Sequence, residues 1–130
     1  MHEHRVHIYY EDTDHSGLVY HANYLKYFER AREHMLGTSE LRRLFVEEGI
    51  GFVVYEANIA YRQGAVFGDT LVVRSTVEAP TPYRAVFTQN AYRDPDGALL
   101  VKGALTLVCI DRDKQLVELP PSVLAVIQAA

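Results

Sequence analysis

The chain has 130 residues, 48% of them hydrophobic, with 13 Lys and Arg against 17 Asp and Glu, a formal net charge of -4 and one cysteine. That is apolar material enough for one compact core and too little for a second domain, and its scattered cations cannot make the dense basic patch that a nucleic-acid surface requires. Cys109 has no partner for an intrachain disulfide and lies in an apolar run, so it reads as core filler and fits a reducing compartment.

In chain order, His4 to Glu11 alternate Val6, Ile8 and Tyr10 with Arg5, His7 and Tyr9, the pattern of a half-buried strand. His2, His4 and His7 invite a metal reading, but alternation puts His7 on the opposite face from the other two, so no metal site is expected. Asp12 to Val19 are too small and polar for regular structure and predict a turn. Asp12 and Asp14 have a structural reading there, capping local N–H groups as loop aspartates commonly do. The next segment, about Ala22 to Leu36, sets Tyr24, Tyr27, Phe28, Ala31 and Met35 at spacings of three and four, one face of a long helix. Glu29, Arg32 and Glu33 read as its charged surface, and Gly37 as its stop.

Asp14 stands seven residues before His21, where this helix begins, and Gly17 between them lets the chain fold back. A helix start leaves backbone N–H groups unpartnered, and these favour an oxygen that turns negative in a transition state. A carboxylate on one side and such donors on the other suit acyl transfer at a carbonyl. Asp14 could serve as nucleophile or as general base for a water, and the sequence leaves both open.

A second helix is predicted over Ser39 to Glu48, with Ser39 as cap, Leu41, Leu44 and Phe45 turned inward and Gly49 as terminator. From Gly51 the period becomes two: Val53, Tyr55, Ala57, Ile59 and Tyr61 share one strand face, and Glu56, Asn58 and Arg62 the other. After a turn at Gly64 to Gly68, Leu71, Val73, Ser75 and Val77 alternate with Thr70, Arg74 and Glu78 until Pro80 and Pro82. Tyr83 to Arg93 and Ala98 to Ile110 flank the turn Asp94-Pro95-Asp96-Gly97, a strong hairpin signal. Leu99, Val101, Leu105 and Leu107 are assigned to one face of the last strand and Leu100, Ala104 and Val108 to the other. A charged turn, Asp111 to Gln115, and a short helix, Val123 to Gln128, complete the chain.

Strand, long helix, short helix and four more strands make an α+β protein, most simply one antiparallel sheet with the long helix lying on it. Leu100, Ala104, Val108 and Ile110 leave the other sheet face too apolar for water alone, so subunits are expected to associate. The opening MHEHRVHIYYED lacks the regions of an export signal, and no apolar run approaches the ~20 residues of a membrane span. A cytoplasmic protein is expected.

The string YEDTDHSGLVYHANYLKYFERAR closely resembles the signature of the 4-hydroxybenzoyl-CoA thioesterase superfamily, and within it the acyl-CoA thioesterases associated with the Tol-Pal system. The resemblance covers nearly the whole chain. It implies a hot-dog fold, a curved antiparallel sheet wrapped around one central helix, as a single domain over 1–130. It also implies hydrolysis of an acyl-coenzyme A thioester, with Asp14 as the catalytic carboxylate and the backbone N–H of His21 as the oxyanion donor. Gly17, Tyr20, Asn23 and Tyr24 follow as substrate-binding residues, Asn23 holding the loop to the helix and the tyrosines lining the pocket. Coenzyme A enters as part of the substrate, with no separate cofactor, and a homodimer or homotetramer is implied, its site at the subunit interface. Two rivals stand beside this: a hydratase or dehydratase of the same fold, and a non-catalytic subunit binding acyl carrier protein or envelope-complex partners.

Overall fold

The computed structural model describes all 130 residues. Six antiparallel strands form one sheet: β1 (His2–His7), β2 (Gly51–Tyr61), β3 (Thr70–Thr81), β4 (Arg84–Asp94), β5 (Leu99–Ile110) and the two-residue β6 (Leu116–Val117). Their spatial order is β1-β3-β4-β5-β2, with β6 beside β5, so β2 is an edge strand along its length. The long helix α1 (Asn23–Leu36) lies on one sheet face; α2 (Thr38–Arg43), continued by a wide turn over Leu44–Glu48, and the terminal α3 (Pro121–Ala129) complete the chain. This is the α+β arrangement expected.

The predicted stripe of α1 is its packing face. Tyr24, Tyr27, Phe28 and Ala31 are buried against Leu71, Val73, Phe87, Leu105 and Leu107 from the sheet, and Met35 packs on the rim of that cluster. Gly103 on β5 permits the closest approach: a Cβ there would sit 2.9 Å from the Phe28 ring and 3.0 Å from the Gln89 carbonyl oxygen. Arg32, expected on the surface, is buried beside this contact. Its Nη1 donates to Gln89 Oε1 at 2.9 Å, and Gln89 Nε2 donates to the Phe28 carbonyl and to Ser75 Oγ. Burying a guanidinium is costly without an acceptor, and Gln89 on the facing strand supplies one.

Several expectations are corrected. The first strand ends at His7, because Tyr9 N–H donates to Asp12 Oδ2 and Asp12 N–H to the Tyr9 carbonyl, a local turn that takes the chain out of the sheet and leaves Tyr10 76% exposed. Ser39 caps nothing and lies inside α2, which starts at Thr38 behind Gly37, while Phe45 is 69% exposed. In β2 a bulge between Val54 and Glu56 shifts the alternation, so Phe52, not Val53, packs beside Ile59 on the core. β3 continues through Pro80, which falls in a register shift between Glu78 and Thr81 where its missing N–H costs no ladder bond. A second shift puts Leu100 opposite neither Ala91 nor Tyr92; Leu100 is wholly buried in the core and does not belong to the outer face. β6 was not predicted.

Two consequences can be measured. Gly103→Ala would overpack a contact between backbone and an aromatic ring that cannot both yield, and should cost about 1–3 kcal/mol in urea unfolding; an unchanged midpoint would contradict the packing. At the other end of α1, His4 stacks on His34 with ring centroids 4.7 Å apart. Burial, then the neighbouring His34 imidazole, holds both His2 and His4 below the ordinary histidine value of 6.5. These groups resist protonation in the folded chain more than in the unfolded one, so their contribution is intact above that value and is lost as pH falls below it. His4→Phe, which keeps a ring on His34 without a titrating group, should flatten the fall in unfolding midpoint between about pH 7.5 and 5.5; an unaltered slope would assign the fall to other groups.

Candidate active site

Residues 12 to 19 form a closed loop against the start of α1. A bridge pairs Thr13 with Val19, Asp14 N–H donates to the Leu18 carbonyl at 2.9 Å, and Gly17 N–H donates back to the Asp14 carbonyl at 3.0 Å. Gly17 has φ +84, a left-handed conformation that side chains disfavour. The loop is tied to the helix through one acceptor, the Asp12 carbonyl, which receives both Tyr20 N–H and Asn23 Nδ2, each at 2.9 Å. Holding the loop to the helix is the part Asn23 was expected to play. Asp12 is structural here, its carboxylate closing the turn at Tyr9.

Asp14 is exposed at the tip of this loop. Its Oδ1 accepts Ser16 N–H at 2.8 Å and Ser16 Oγ–H at 2.5 Å, the Asx turn that its loop position suggested, while Oδ2 accepts nothing from the chain. The Ser16 hydroxyl first, and then the Ser16 N–H, stabilise the carboxylate and hold its pKa below the usual 3.8 against an opposing effect of desolvation, with lesser help from the imidazoles of His15 and His21. Asp14 is therefore ionised across the neutral range, with one oxygen free to act.

The helix starts without a cap. Ala22 occupies the capping position and has no side chain able to accept a hydrogen bond, and neither His21 N–H nor Ala22 N–H donates to any group in the chain. The His21 carbonyl, in contrast, accepts the Tyr61 hydroxyl at 3.2 Å. Beside it opens a cleft of about 250 Å³ lined by Leu18, Val19, His21, Tyr24, Tyr61, Arg62, Gln63 and Gly64. Tyr24 is almost fully buried in its wall, its hydroxyl accepting Ala65 N–H at 3.3 Å, and burial raises its pKa.

Of the six residues predicted for the site, His21 and Tyr24 line the cleft. Asn23 and Gly17 shape the loop behind it, and Asp14 stands exposed in that loop. Tyr20 does not line the cleft; its exposed ring lies 4.5 Å from that of His21. Sequence reading missed Tyr61, Arg62 and Gly64 as cleft residues. The available signal was local: Gly64 follows the strand end, and a Cβ on it would come 2.6 Å from the Leu18 side chain. No group of three His, Cys, Asp or Glu side chains is placed to hold a metal ion, and no helix is long and apolar enough to cross a membrane.

Comparison with known proteins agrees with the resemblance read from the signature. The model of the thioesterase-like superfamily matches residues 9–127. The acyl-CoA thioesterase YbgC of Haemophilus influenzae is 37% identical over 84% of this chain and 80% of its own length. The acyl-CoA thioester hydrolase YbgC of Escherichia coli O6:H1 is 34% identical over 82% and 79%. Among solved structures, Slr0204 of Synechocystis, a 1,4-dihydroxy-2-naphthoyl-CoA thioesterase, superposes with a TM-score of 0.90 over 98% of this chain and 95% of that one at 22% identity, a likeness of fold. These relatives support thioester hydrolase activity. A match along nearly the whole chain, with a hot-dog architecture and an uncapped helix start beside a cleft, makes this protein a member of the thioesterase-like superfamily.

Proposed function

We propose that this chain, as one hot-dog domain over residues 1–130, hydrolyses an acyl-coenzyme A thioester to a free acid and coenzyme A. The observation that carries the reading is the open N–H of His21, facing no acceptor of its own chain at the start of α1, with the ionised Asp14 on the loop clamped to that same helix start. The His21 N–H binds the thioester oxygen as it gains charge; donors of this kind are commonly worth ~3 kcal/mol in the barrier. On one route Asp14 Oδ2 attacks the carbonyl, expelling the coenzyme A thiolate and leaving a mixed anhydride that water then hydrolyses to the free acid. On the other it takes a proton from a water that attacks the carbonyl directly and expels the thiolate. On both routes the proton released from water ends on the coenzyme A sulfur or in solvent. Tyr24 and Tyr61 give the acyl group an aromatic wall. Coenzyme A arrives with the substrate, and no separate cofactor has a part in these steps.

The functional unit is a homodimer, alone or paired into a tetramer. Supporting this, β2 presents a free edge over 11 residues with Val53, Val54, Tyr55 and Tyr61 exposed along it, and a long apolar edge of that kind invites pairing with a second strand. The setting is the cytoplasm: Cys109 is wholly buried and unpaired, its thiol pushed up to about 12 by burial, which suits a structural thiol in a reducing compartment.

The test is release of free thiol from a panel of aromatic and aliphatic acyl-CoA esters. Asp14→Asn should lower kcat by at least about a hundredfold with an unchanged unfolding midpoint. Full activity in that variant, or loss of substrate without thiol release, would refute the hydrolase reading in favour of a binding subunit or a hydratase. With the pKa of Asp14 lowered, its carboxylate loses the proton-accepting form only below 3.8, so kcat/KM should show no acid limb from this group between about pH 5 and 8; a limb near 6.5 that survives in His21→Gln but vanishes with another histidine would move the base elsewhere. In sedimentation the protein should run at twice or four times the chain mass; a monomer of full activity would contradict the paired edge.

A further inference from the structure

Most arginines of this acidic chain are already engaged. Arg5 pairs with Asp94, Arg43 with Glu40 and Glu48, Arg74 with Glu3, and Arg93 with Asp96. Arg32 is bonded to Gln89, Arg84 lies 4.8 Å from the Tyr55 ring centre, and Arg112 donates to the Val46 carbonyl. The other cations, Lys26, Arg30, Arg42, Arg62, Lys102 and Lys114, meet no carboxylate or other hydrogen-bond acceptor through the side chain, and of these Arg62 and Lys102 share one groove. That groove, of about 550 Å³, is also lined by Asn58, Thr88 and Asn90. The strand register sets Lys102 opposite Ala60 on one side and Asn90 on the other, and Ala60, Gly103 and Ala104 keep the floor low. One acid is close, Glu56, which accepts Asn58 Nδ2 at 3.3 Å and is not part of the lining.

Arg62 also lines the cleft at the start of α1. It is the one residue common to the two depressions, so a molecule whose reacting end lies beside His21 and whose tail leaves past Tyr61 meets Arg62 and then Lys102. The groove faces away from α1, because Phe52 and the core residues Val101, Leu105 and Leu107 of β5 occupy the other side of these strands. We propose that Arg62 and Lys102 hold the phosphates of the nucleotide arm of the substrate, with Asn58, Thr88 and Asn90 as the neutral wall of that track. A planar guanidinium forks onto two phosphate oxygens and an ammonium adds a point charge, a pairing suited to a diphosphate followed by a further phosphate. This assignment rests on the acyl-CoA reading and adds to it which cations of the chain do the holding.

The experiment compares an acyl-CoA ester with the same acyl group on N-acetylcysteamine, which carries no phosphate, for the wild type, Arg62→Gln, Lys102→Gln and Arg62→Lys, together with calorimetric binding of coenzyme A itself. Each Gln variant should lower the ratio of kcat/KM for the acyl-CoA over the truncated ester about tenfold, chiefly through KM, and weaken coenzyme A binding by a similar factor. Arg62→Lys should recover part of both. Equal losses on the two esters, or no change in the ratio, would overturn the phosphate track while leaving the hydrolase in place. Should no thioester be hydrolysed and coenzyme A binding still weaken tenfold in the Gln variants, the track stands and the hydrolase reading falls.

Discussion

The carbonyl of Asp12 is the point on which the site turns. Two donors converge on it, the Tyr20 N–H at the end of the loop and the Asn23 amide at the first residue of α1. Each bond is modest, about 1 kcal/mol net, but together they fix the loop's orientation to the helix. Asp14 lies two residues beyond that carbonyl, and His21 lies between the two donors. Clamping Asp12 therefore sets the carboxylate and the open N–H in one frame, and the proposed mechanism depends on that placement more than on the strength of any one bond.

The frame is only as steady as the helix that carries it. α1 is seated by Phe28 pressed on Gly103 and by the Arg32–Gln89–Ser75 ladder, which crosses from helix to sheet in the dry interior. On the other side of the loop, Val19 N–H donates to the Ala65 carbonyl and Leu18 fills the space left open by Gly64. Asp14 and the open N–H of His21 thus hang from both the helix and the connection after β2, and the end of α1 between them is left without a side-chain cap.

Much of this was legible in the residues. The stripe Tyr24, Tyr27, Phe28, Ala31 marked the buried face of α1 because one helical period decides it, and Leu71, Val73, Ser75 and Val77 marked β3 in the same way. Periodicity failed where the backbone shifts phase: the bulge at Tyr55 exchanged the faces of β2, and the one at Leu100 buried a residue assigned to the outer face. It failed again where a side chain's fate depends on a distant partner. Arg32 looked like surface charge until Gln89, 57 residues on, supplied an acceptor in the core. The site divides similarly. Asp14, Gly17 and His21 stand out as one short motif, whereas Tyr61 and Arg62 reach the cleft only because the end of β2 folds back over the helix start. Composition alone cannot separate Arg62 and Lys102 from arginines already neutralised by neighbours.

The most direct measurement is the position of a bound, unhydrolysed acyl-CoA in a crystal of the Asp14→Asn variant. The thioester oxygen is expected about 2.7–3.1 Å from the His21 backbone nitrogen, with the carbonyl carbon between it and the side chain at position 14. A thioester lying away from the start of α1, with its oxygen bonded to some other donor, would contradict the arrangement.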